Sequence, residues 1–452
     1  MKKLLLIVLL IVGCIESDTT APEPEDCAGV AGGDAIEDCA DVCGGGNICG
    51  CTDATAANFN SLATYDDGSC AHSPDITLTQ QQVISSNNSF GIKLFKELNQ
   101  TDPISSVFVS PLSISMALGM TLNGADNETY EAMIEVLEKA DLSEVEINEA
   151  YQSLIALLTQ LDEDVILNIA NSIWYKDTFT VEQTFLDVNQ TYFDAVVEAL
   201  DFTNVSLVVN TINGWVNENT NELIPTIIKE NYVTPETIMF LVNAIYYKGT
   251  WTTEFDPELT EDKPFYNYDN TTSTVPLMHM ESTLSVSVTE TFVAVDLPYG
   301  DELFSMTVIL PNVGVDINEF AAELNNENWD QWMSGFNMVE DVQLYLPRFT
   351  LEWKNSLTDI LSTMGMGIAF SDQADFSRIN SGVSLKITDV IHKTFVEVNE
   401  EGTEAAAVTV IGITTTSIEP PPPVIRVDRP FIFAIREKSS GTILFIGKVL
   451  NL

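Results

Sequence analysis

Residues 243–251 read NAIYYKGTW, and they close the longer run ETIMFLVNAIYYKGTW, in which apolar and aromatic side chains dominate. Runs of this kind favour β-strands. Similar apolar and aromatic runs occur earlier in DVILNIANSIWYK and later in FVAVDLPYG, LFSMTVILP, DVQLYLPRFTLEW, RPFIFAI and TILFIGKVL. Strands are therefore expected to dominate the second half of the chain.

The segments that precede these strands have a helical period instead. SNNSFGIKLFKELNQ carries apolar residues at helical spacing, and PLSISMALGMTLNGA, TYEAMIEVLEKA and INEAYQSLIALLTQLDE continue that pattern. Helices come first and strands follow, without a repeating strand–helix–strand rhythm. This order predicts an α+β fold and argues against a doubly wound parallel sheet.

The charge of the chain is strongly acidic, with 67 Asp and Glu against 19 Lys and Arg and a net charge of −48. This balance argues against binding to nucleic acid, to a heparin-like polyanion or to an acidic membrane surface, because each carries negative charge. An acidic surface keeps a protein soluble in a saline exterior, which is the simplest interpretation.

The N-terminus has the features of an export signal. Lys2 and Lys3 precede an apolar run of about ten residues, which is too short to span a bilayer. Gly13 and Cys14 end this run in a pattern that resembles a bacterial lipobox, so residues 1–13 are predicted to be a signal peptide and Cys14 the lipidated first residue. An ordinary secretory signal is the alternative. Either way the protein is expected in the extracellular space or at the cell surface.

The remaining cysteines all lie in one short segment, residues 27–71, which is poor in large aliphatic side chains. An even number of cysteines in an exported segment predicts a disulfide framework, although the connectivity stays open. A zinc site is the alternative, but the C-x-C spacing is unusual for zinc. The candidates are Cys27, Cys39, Cys43, Cys49, Cys51 and Cys70.

The polar residues 14–26 are expected to tether this Cys-rich module, and residues 72–82 to link it to a main domain at 83–452. The module resembles Asp- and Cys-rich repeats of secreted proteins, some of which bind calcium. Asp53, Asp66 and Asp67 could supply calcium ligands, but their spacing matches no strict calcium loop, so a stapled spacer is the favoured interpretation.

The main domain resembles the serpin family, the serine protease inhibitors, over roughly residues 83–452. The resemblance rests on NAIYYKGTW followed by Phe255, and on further motifs in family order. These are SPLSIS (110–115), LPRF (346–349), His392-Lys393, the run from Glu400 to Ala407, DRPF (428–431) and FIG (445–447). It implies helices and three β-sheets with an exposed, mobile reactive-centre loop.

The resemblance also assigns a role to residues 400–410, EEGTEAAAVTV, whose conformation no local rule settles. In serpins this is the hinge of the reactive loop, which inserts into a sheet as an extra strand after cleavage. The strand must pass into a tight interior, so its small residues fit this role, and Gly402 gives the backbone freedom. The hinge residues are Glu400, Gly402, Thr403, Glu404, Ala405, Ala406 and Ala407.

The family count of seventeen residues from Glu400 places the reactive bond at Thr416-Ser417, with a shift of one or two residues left open by the long loop. The surrounding GITTTSIE has no cation or large aromatic side chain, and four prolines (420–423) are expected to hold the exit side extended. A trypsin-like pocket requires a cation, so elastase-like or subtilisin-like proteases are the expected targets.

Further positions match residues that control sheet opening in serpins. Ser110, Ser113, Asn243 and His392 match a polar cluster under the sheet, which would also be an ordinary buried hydrogen-bond network. Trp251 matches the tryptophan at the loop's entry point, and Arg348 matches the ion-pair partner of Glu400.

No catalytic motif, cofactor motif or phosphate loop is present, and the protein is not expected to be an enzyme. The resemblance implies serine proteases as covalent partners, with cysteine proteases as a second class, and a monomeric inhibitor. The only expected membrane contact is the lipid anchor. The alternative is a non-inhibitory serpin that acts as a surface-binding or chaperone-like protein.

Overall fold

A computed structural model describes residues 27, 28, 30, 38, 40, 42–54, 62–66, 70, 76–403 and 423–452. The chain divides into two compact units, Met1–Cys70 and Ala71–Leu452. The predicted reactive bond, the hinge residues 404–407, Cys14, Cys39 and Asp67 lie outside the described residues. No helix in the described part is long and apolar enough to cross a bilayer.

The first unit contains two short parallel strands, β1 (Cys49–Gly50) and β2 (Tyr65–Asp66). Disulfides join Cys27 to Cys43 and Cys51 to Cys70, and Cys49 is also disulfide-bonded. The disulfide prediction is confirmed for these cysteines, whose sulfur atoms are therefore not thiolate ligands for zinc. Among the described residues no group of three or more Asp, Glu, His or Cys side chains could hold a metal ion. The calcium hypothesis for Asp53, Asp66 and Asp67 remains a hypothesis.

The second unit begins with helices, as the apolar period predicts. Thr77 caps the first helix by accepting a hydrogen bond from the Gln80 backbone, so that helix starts at Leu78, inside the segment predicted as a linker. The helices are α1 (Leu78–Thr101), α2 (Pro111–Leu122), α3 (Asn127–Val136), α4 (Glu144–Leu158), α5 (Gln183–Phe193), α6 (Val205–Asn219), α7 (Ile317–Glu323), α8 (Asn326–Ser334) and α9 (Thr358–Leu361).

Strands dominate the rest of this unit, also as predicted. They are β3 (Val107–Val109), β4 (Val165–Lys176), β5 (Val196–Leu200), β6 (Met239–Thr250), β7 (Glu261–Tyr266), β8 (Thr272–Val288), β9 (Phe292–Tyr299), β10 (Phe304–Pro311), β11 (Asn337–Pro347), β12 (Phe349–Ser356), β13 (Ile391–Val398), β14 (Gly402–Thr403), β15 (Val424–Arg426), β16 (Phe431–Glu437) and β17 (Ile443–Val449).

These strands form three sheets. A nine-stranded sheet has the order β15-β11-β8-β9-β10-β16-β17-β3, with β7 on β8. A four-stranded sheet has the order β14-β6-β4-β5, and β12 pairs with β13 as a separate ribbon. Every residue of β10, β16 and β17 is buried, and α2 is buried along nearly its whole length. The predicted α+β fold class is confirmed.

One feature of this topology positions the candidate site. Along the described residues β6 pairs with β4 and, at its end, with β14, whereas β13 pairs only with β12. No strand pairing therefore joins β6 to β13. We call the boundary between these two strands the seam.

Helix α6 covers one face of the strands beside the seam. Its apolar residues Val208, Ile212 and Val216 form a separate core cluster with Val242 and Ala244 of β6. Partly buried side chains of β13 pack against the same cluster, so one apolar cluster joins side chains from both sides of the seam.

Candidate functional site

The hinge begins at the end of the seam. After β13 the chain turns, and the Asn399 N–H donates to the Gly402 carbonyl at 3.0 Å. Gly402 and Thr403 then run antiparallel to β6 and pair with Thr250 and Gly249. Two hinge residues therefore already occupy the position of an extra strand beside β6.

Gly402 can lie there because it has no side chain. Its φ is +152°, and a Cβ atom at this position would lie 2.1 Å from the Gly249 carbonyl oxygen. Both the conformation and the close approach require glycine. The sequence predicted backbone freedom at this residue, and the structure adds that the backbone of β6 leaves no room for a side chain.

Thr403 is the first side chain of β14 that enters the interior, with 4% of its surface exposed. Its hydroxyl lies 2.8 Å from the hydroxyl of Tyr299, which is itself fully buried. The Tyr299 ring stacks on Trp251 with centroids 4.3 Å apart. The pocket for Thr403 is therefore aromatic and closed, with a hydroxyl as polar partner.

Trp251 joins this pocket to the turn before the hinge. Its indole N–H donates to the Asn399 carbonyl at 3.0 Å, and its backbone N–H donates to the Glu401 carbonyl at 2.8 Å. The structure thus places Trp251, predicted at the loop's entry point, in direct contact with the segment that opens the loop.

Glu400 anchors the base of the hinge. Arg348 donates to both carboxylate oxygens, through Nε at 3.0 Å and through Nη2, and the Thr260 hydroxyl donates at 2.6 Å. Burial by itself would raise the pKa of Glu400, but the hydrogen bonds from Arg348 and Thr260 outweigh it and the pKa is lowered. Thr260 was not found from the sequence, since no motif marks it.

The pKa of the neighbouring Glu401 is raised, whereas that of Glu400 is lowered. Burial raises the pKa of Glu401, and the carboxylates of Glu254 and Glu400 raise it further. The entrance to the seam is therefore acidic, and an additional buried carboxylate there would be unfavourable.

The polar residues predicted beneath the sheet form two separate groups. His392 is buried and its Nε2 accepts a hydrogen bond from the Ser110 backbone N–H at 3.0 Å. The Ser110 hydroxyl caps α2 by accepting from the Ser113 N–H at 3.2 Å. Burial lowers the pKa of His392 to about 3, so the imidazole is neutral and serves as an acceptor.

Asn243 belongs to the second group. Its side-chain amide donates to Asn171 Oδ1 at 2.7 Å, and Asn171 in turn donates to the Phe193 carbonyl at 2.8 Å. Asn243 therefore does not touch His392, Ser110 or Ser113 by hydrogen bonds. The buried Asn243 Oδ1 makes no hydrogen bond within the described part of the chain. The sequence did not indicate Asn171, which lies 72 positions away.

Comparison with known proteins identifies this architecture. A family model described as "Serpin (serine protease inhibitor)" matches residues 85–452. The chain belongs to the serpin family. Human Serpin B13 is 34% identical over 79% of this chain and 96% of its own length. The leukocyte elastase inhibitor of Sus scrofa is 33% identical over 82% of this chain and 99% of its own length.

Solved structures agree with this assignment. The thermophilic serpin tengpin, in its native state, has a TM-score of 0.75 and 32% identity, covering 84% of this chain and 96% of tengpin. Human thyroxine-binding globulin, solved with thyroxine, has the same TM-score and 31% identity, covering 82% of this chain and 99% of that protein. The serpin fold inferred from the motifs is thus confirmed.

The roles of these residues stay predictions, and the described residues fall into distinct groups. Glu400, Gly402, Thr403, Trp251 and Arg348 meet at one end of the seam. Ser110, Ser113 and His392 meet at the start of α2, and Asn243 lies apart on β6. Tyr299, Thr260 and Asn171 join these groups through contacts between residues far apart in the sequence.

Proposed function

We propose that this protein is an inhibitory serpin, which traps a serine protease by inserting its cleaved loop into the seam. The observation that carries the proposal is the position of Thr403, buried beside Gly249 as the start of a strand between β6 and β13. Ahead of a segment that begins in this register, no described strand pairs with the facing edges of β6 and β13.

The register also indicates which side chains would enter the interior. Continuing the pairing of Thr403 with Gly249 would bring Ala405 opposite Tyr247 and Ala407 opposite Ile245, both of which are buried on β6. Small side chains suit positions that face filled core, because a larger residue would cost about 1–3 kcal/mol in overpacking. The alanine run supports insertion for this reason.

The chemistry belongs to the protease. Its active-site serine attacks the carbonyl carbon of Thr416, the bond to Ser417 breaks, and the new amino terminus of Ser417 leaves. The protease then remains attached to Thr416 as an ester until water hydrolyses it. Insertion displaces the attached protease and distorts the oxyanion hole on which deacylation depends. Each new backbone hydrogen bond in the seam contributes about 0.5–1.5 kcal/mol.

The residues around the predicted bond suggest the target. GITTTSIE offers small or β-branched side chains, so elastase-like or subtilisin-like proteases are the proposed partners. The porcine relative is named for inhibition of leukocyte elastase, which agrees with this class. Export through the signal at residues 1–13 and anchoring through lipid on Cys14 would place the inhibitor at the cell surface. Labelling with radioactive palmitate, lost in Cys14→Ser, tests the anchor.

A non-inhibitory role is the second candidate, since thyroxine-binding globulin, solved with a bound small ligand, is as similar in fold as tengpin. The fold alone does not separate the two roles. The hinge supports the inhibitory role, because its small residues and the buried position of Thr403 suit insertion.

Incubation with pancreatic elastase, subtilisin and trypsin tests the proposal. We expect a band that survives boiling in detergent with elastase or subtilisin, and a released peptide that begins at Ser417. Thr416→Arg is the matched variant, and it should form the same complex with trypsin. Cleavage of the wild-type loop by elastase and subtilisin, and of the Thr416→Arg loop by trypsin, without a stable band in any case would overturn the inhibitory function and favour the second candidate.

A further inference from the structure

Three side chains from neighbouring strands of the nine-stranded sheet form a continuous stack. The His279 ring on β8 lies parallel to the Tyr345 ring on β11, with centroids 4.3 Å apart and an interplanar angle of 11°. The Arg426 guanidinium on β15 lies 4.4 Å from the centroid of the same ring. Tyr345 is directly paired with His279 on one side and with Arg426 on the other. The stack therefore follows the strand pairing across the sheet.

This stack is accessible. Arg426 is exposed, and His279 and Tyr345 are half-buried. Arg426 makes no ion pair and no side-chain hydrogen bond with any residue that the structure describes, although the chain holds 67 acidic residues. On the adjacent strands, Glu281 accepts a hydrogen bond from Gln343, and Glu261 pairs with Lys263 and also interacts electrostatically with His279. Within the described part of the chain, this preorganised cation therefore has no acidic partner and can bind an external one.

The position of the stack relative to the loop suggests which partner binds it. β15 follows the loop directly, and Arg426 lies nine residues beyond Ser417, the predicted new amino terminus. Nine extended residues span at most about 30 Å. A protease domain of about 250 residues has a radius of gyration of about 18 Å. A protease bound at Thr416-Ser417 would therefore have the stack within reach on the side that follows the reactive bond.

We propose that the stack of His279, Tyr345 and Arg426 is a second docking surface for the serine protease that attacks the loop. Arg426 binds a carboxylate on the rim of the protease cleft, and the edge of Tyr345 packs against an apolar part of that rim. Tyr and Arg are the residue types that most often dominate the binding energy of interfaces. The stacking holds both side chains in place before the encounter, which lowers the entropy cost of binding. This inference rests on the proposed inhibitory function.

The test compares association rate constants for the protease that the wild-type protein traps fastest. The variants are Arg426→Glu and Tyr345→Ala, with Lys263→Glu as the control. Lys263 lies on β7 of the same sheet, is half-buried and pairs with Glu261, and its substitution changes the net charge by the same amount. The rates are measured at low and high salt, together with the stoichiometry of inhibition and the half-life of the free inhibitor.

We expect Arg426→Glu to slow association about tenfold, equivalent to about 1.4 kcal/mol, with a smaller salt dependence than the wild type. Tyr345→Ala should also slow association, whereas Lys263→Glu should change the rate by less than about twofold. The stoichiometry should stay unchanged, because the loop and the seam are intact.

Three results would overturn the inference. The first is an unchanged rate in both stack variants. The second is an equal loss in Lys263→Glu, which would indicate general electrostatic attraction. The third is a shorter half-life without a slower association, which would show that the stack only holds β15 on β11. In all three cases the stable complex still forms, so the proposed function survives; absence of a complex in the wild type would instead overturn that function.

Discussion

Replacement of Thr403 by glutamate should convert the inhibitor into a substrate. Thr403 is 4% exposed, and its hydroxyl lies 2.8 Å from the buried hydroxyl of Tyr299. A carboxylate at this position would meet an aromatic pocket beside Glu401, whose pKa is already raised by burial and by the neighbouring carboxylates of Glu254 and Glu400. No cation pairs with a described atom of this pocket, so the new charge would have to leave the seam or take up a proton.

The cost follows from these two choices. Protonating a carboxyl group with a normal pKa of about 4.3 at pH 7.5 costs about 4 kcal/mol, which is the upper bound. Burying a polar group without a full set of hydrogen bonds costs about 1–3 kcal/mol. If the cost of about 1–3 kcal/mol is added to the activation barrier for insertion, insertion slows by a factor of about 5 to 150. Hydrolysis of the ester is unaffected, so the ratio of cleaved to trapped molecules rises by the same factor.

The assay is titration of a fixed amount of protease with inhibitor, which gives the number of inhibitor molecules consumed for each protease trapped. For the Thr403→Glu variant, the number of inhibitor molecules consumed for each trapped protease should be at least several times that of the wild type. This defect should weaken as the pH falls toward 5. Thr403→Ser keeps the hydroxyl and removes one methyl group, so it should stay close to the wild type. An unchanged stoichiometry in Thr403→Glu would refute the idea that residue 403 must be buried in the sheet for the rest of the loop to insert.

The remaining predictions concern the hinge base and two buried titratable groups. Glu400→Lys should form more polymers than the wild type on mild heating, as seen on native gels, because Arg348 then faces a cation; the charge swap with Arg348→Glu should restore the monomer. His392 has its pKa lowered to about 3 by burial, so unfolding should take up a proton and stability should fall as the pH drops from about 6.5 toward 3. The His392→Gln variant, melted at several pH values, should lose that dependence. An equal change of melting temperature with pH in the variant and the wild type would contradict the prediction. Lys139 is fully buried and its pKa is lowered to about 7, so stability should rise as the pH increases from about 7 to 10.5, and Lys139→Met should abolish this rise in the same melts.

The sequence predicted the elements of the site that depend on local residue type. Gly402 and the alanine run were recognised because backbone freedom and small size are properties of single residues. Arg348, Trp251 and Glu400 were recognised because each belongs to a motif that resembles the family. The helical and strand periods predicted the fold class for the same reason.

Contacts between distant residues were not predictable in this way. Tyr299 lies 104 positions from Thr403, and Asn171 lies 72 positions from Asn243. The sequence grouped Asn243 with His392, but the pairing of β4 with β6 places Asn171 directly opposite Asn243. The partner of a buried polar side chain depends on strand register, which a single sequence leaves open.

Lys139 illustrates the same limit for charge. It lies in the segment EVLEKAD, whose composition is typical of an exposed helix end. In the structure its ammonium group donates to Asn87 Oδ1 at 2.8 Å and to the Leu137 carbonyl at 3.1 Å, beneath the ring of Tyr151. Only the packing of α1, α2 and α4 around it shows that this lysine is buried.

Amide hydrogen exchange of β6 and β13, before and after cleavage of the loop by a catalytic amount of elastase or subtilisin, tests the central claim most directly. The two strands share no backbone pairing in the described structure. If the cleaved loop inserts between them, peptides covering 239–250 and 391–398 should exchange much more slowly after cleavage, while peptides from β10 stay unchanged. Unchanged exchange in both seam strands after complete cleavage would show that the loop does not enter, and it would contradict the inhibitory mechanism.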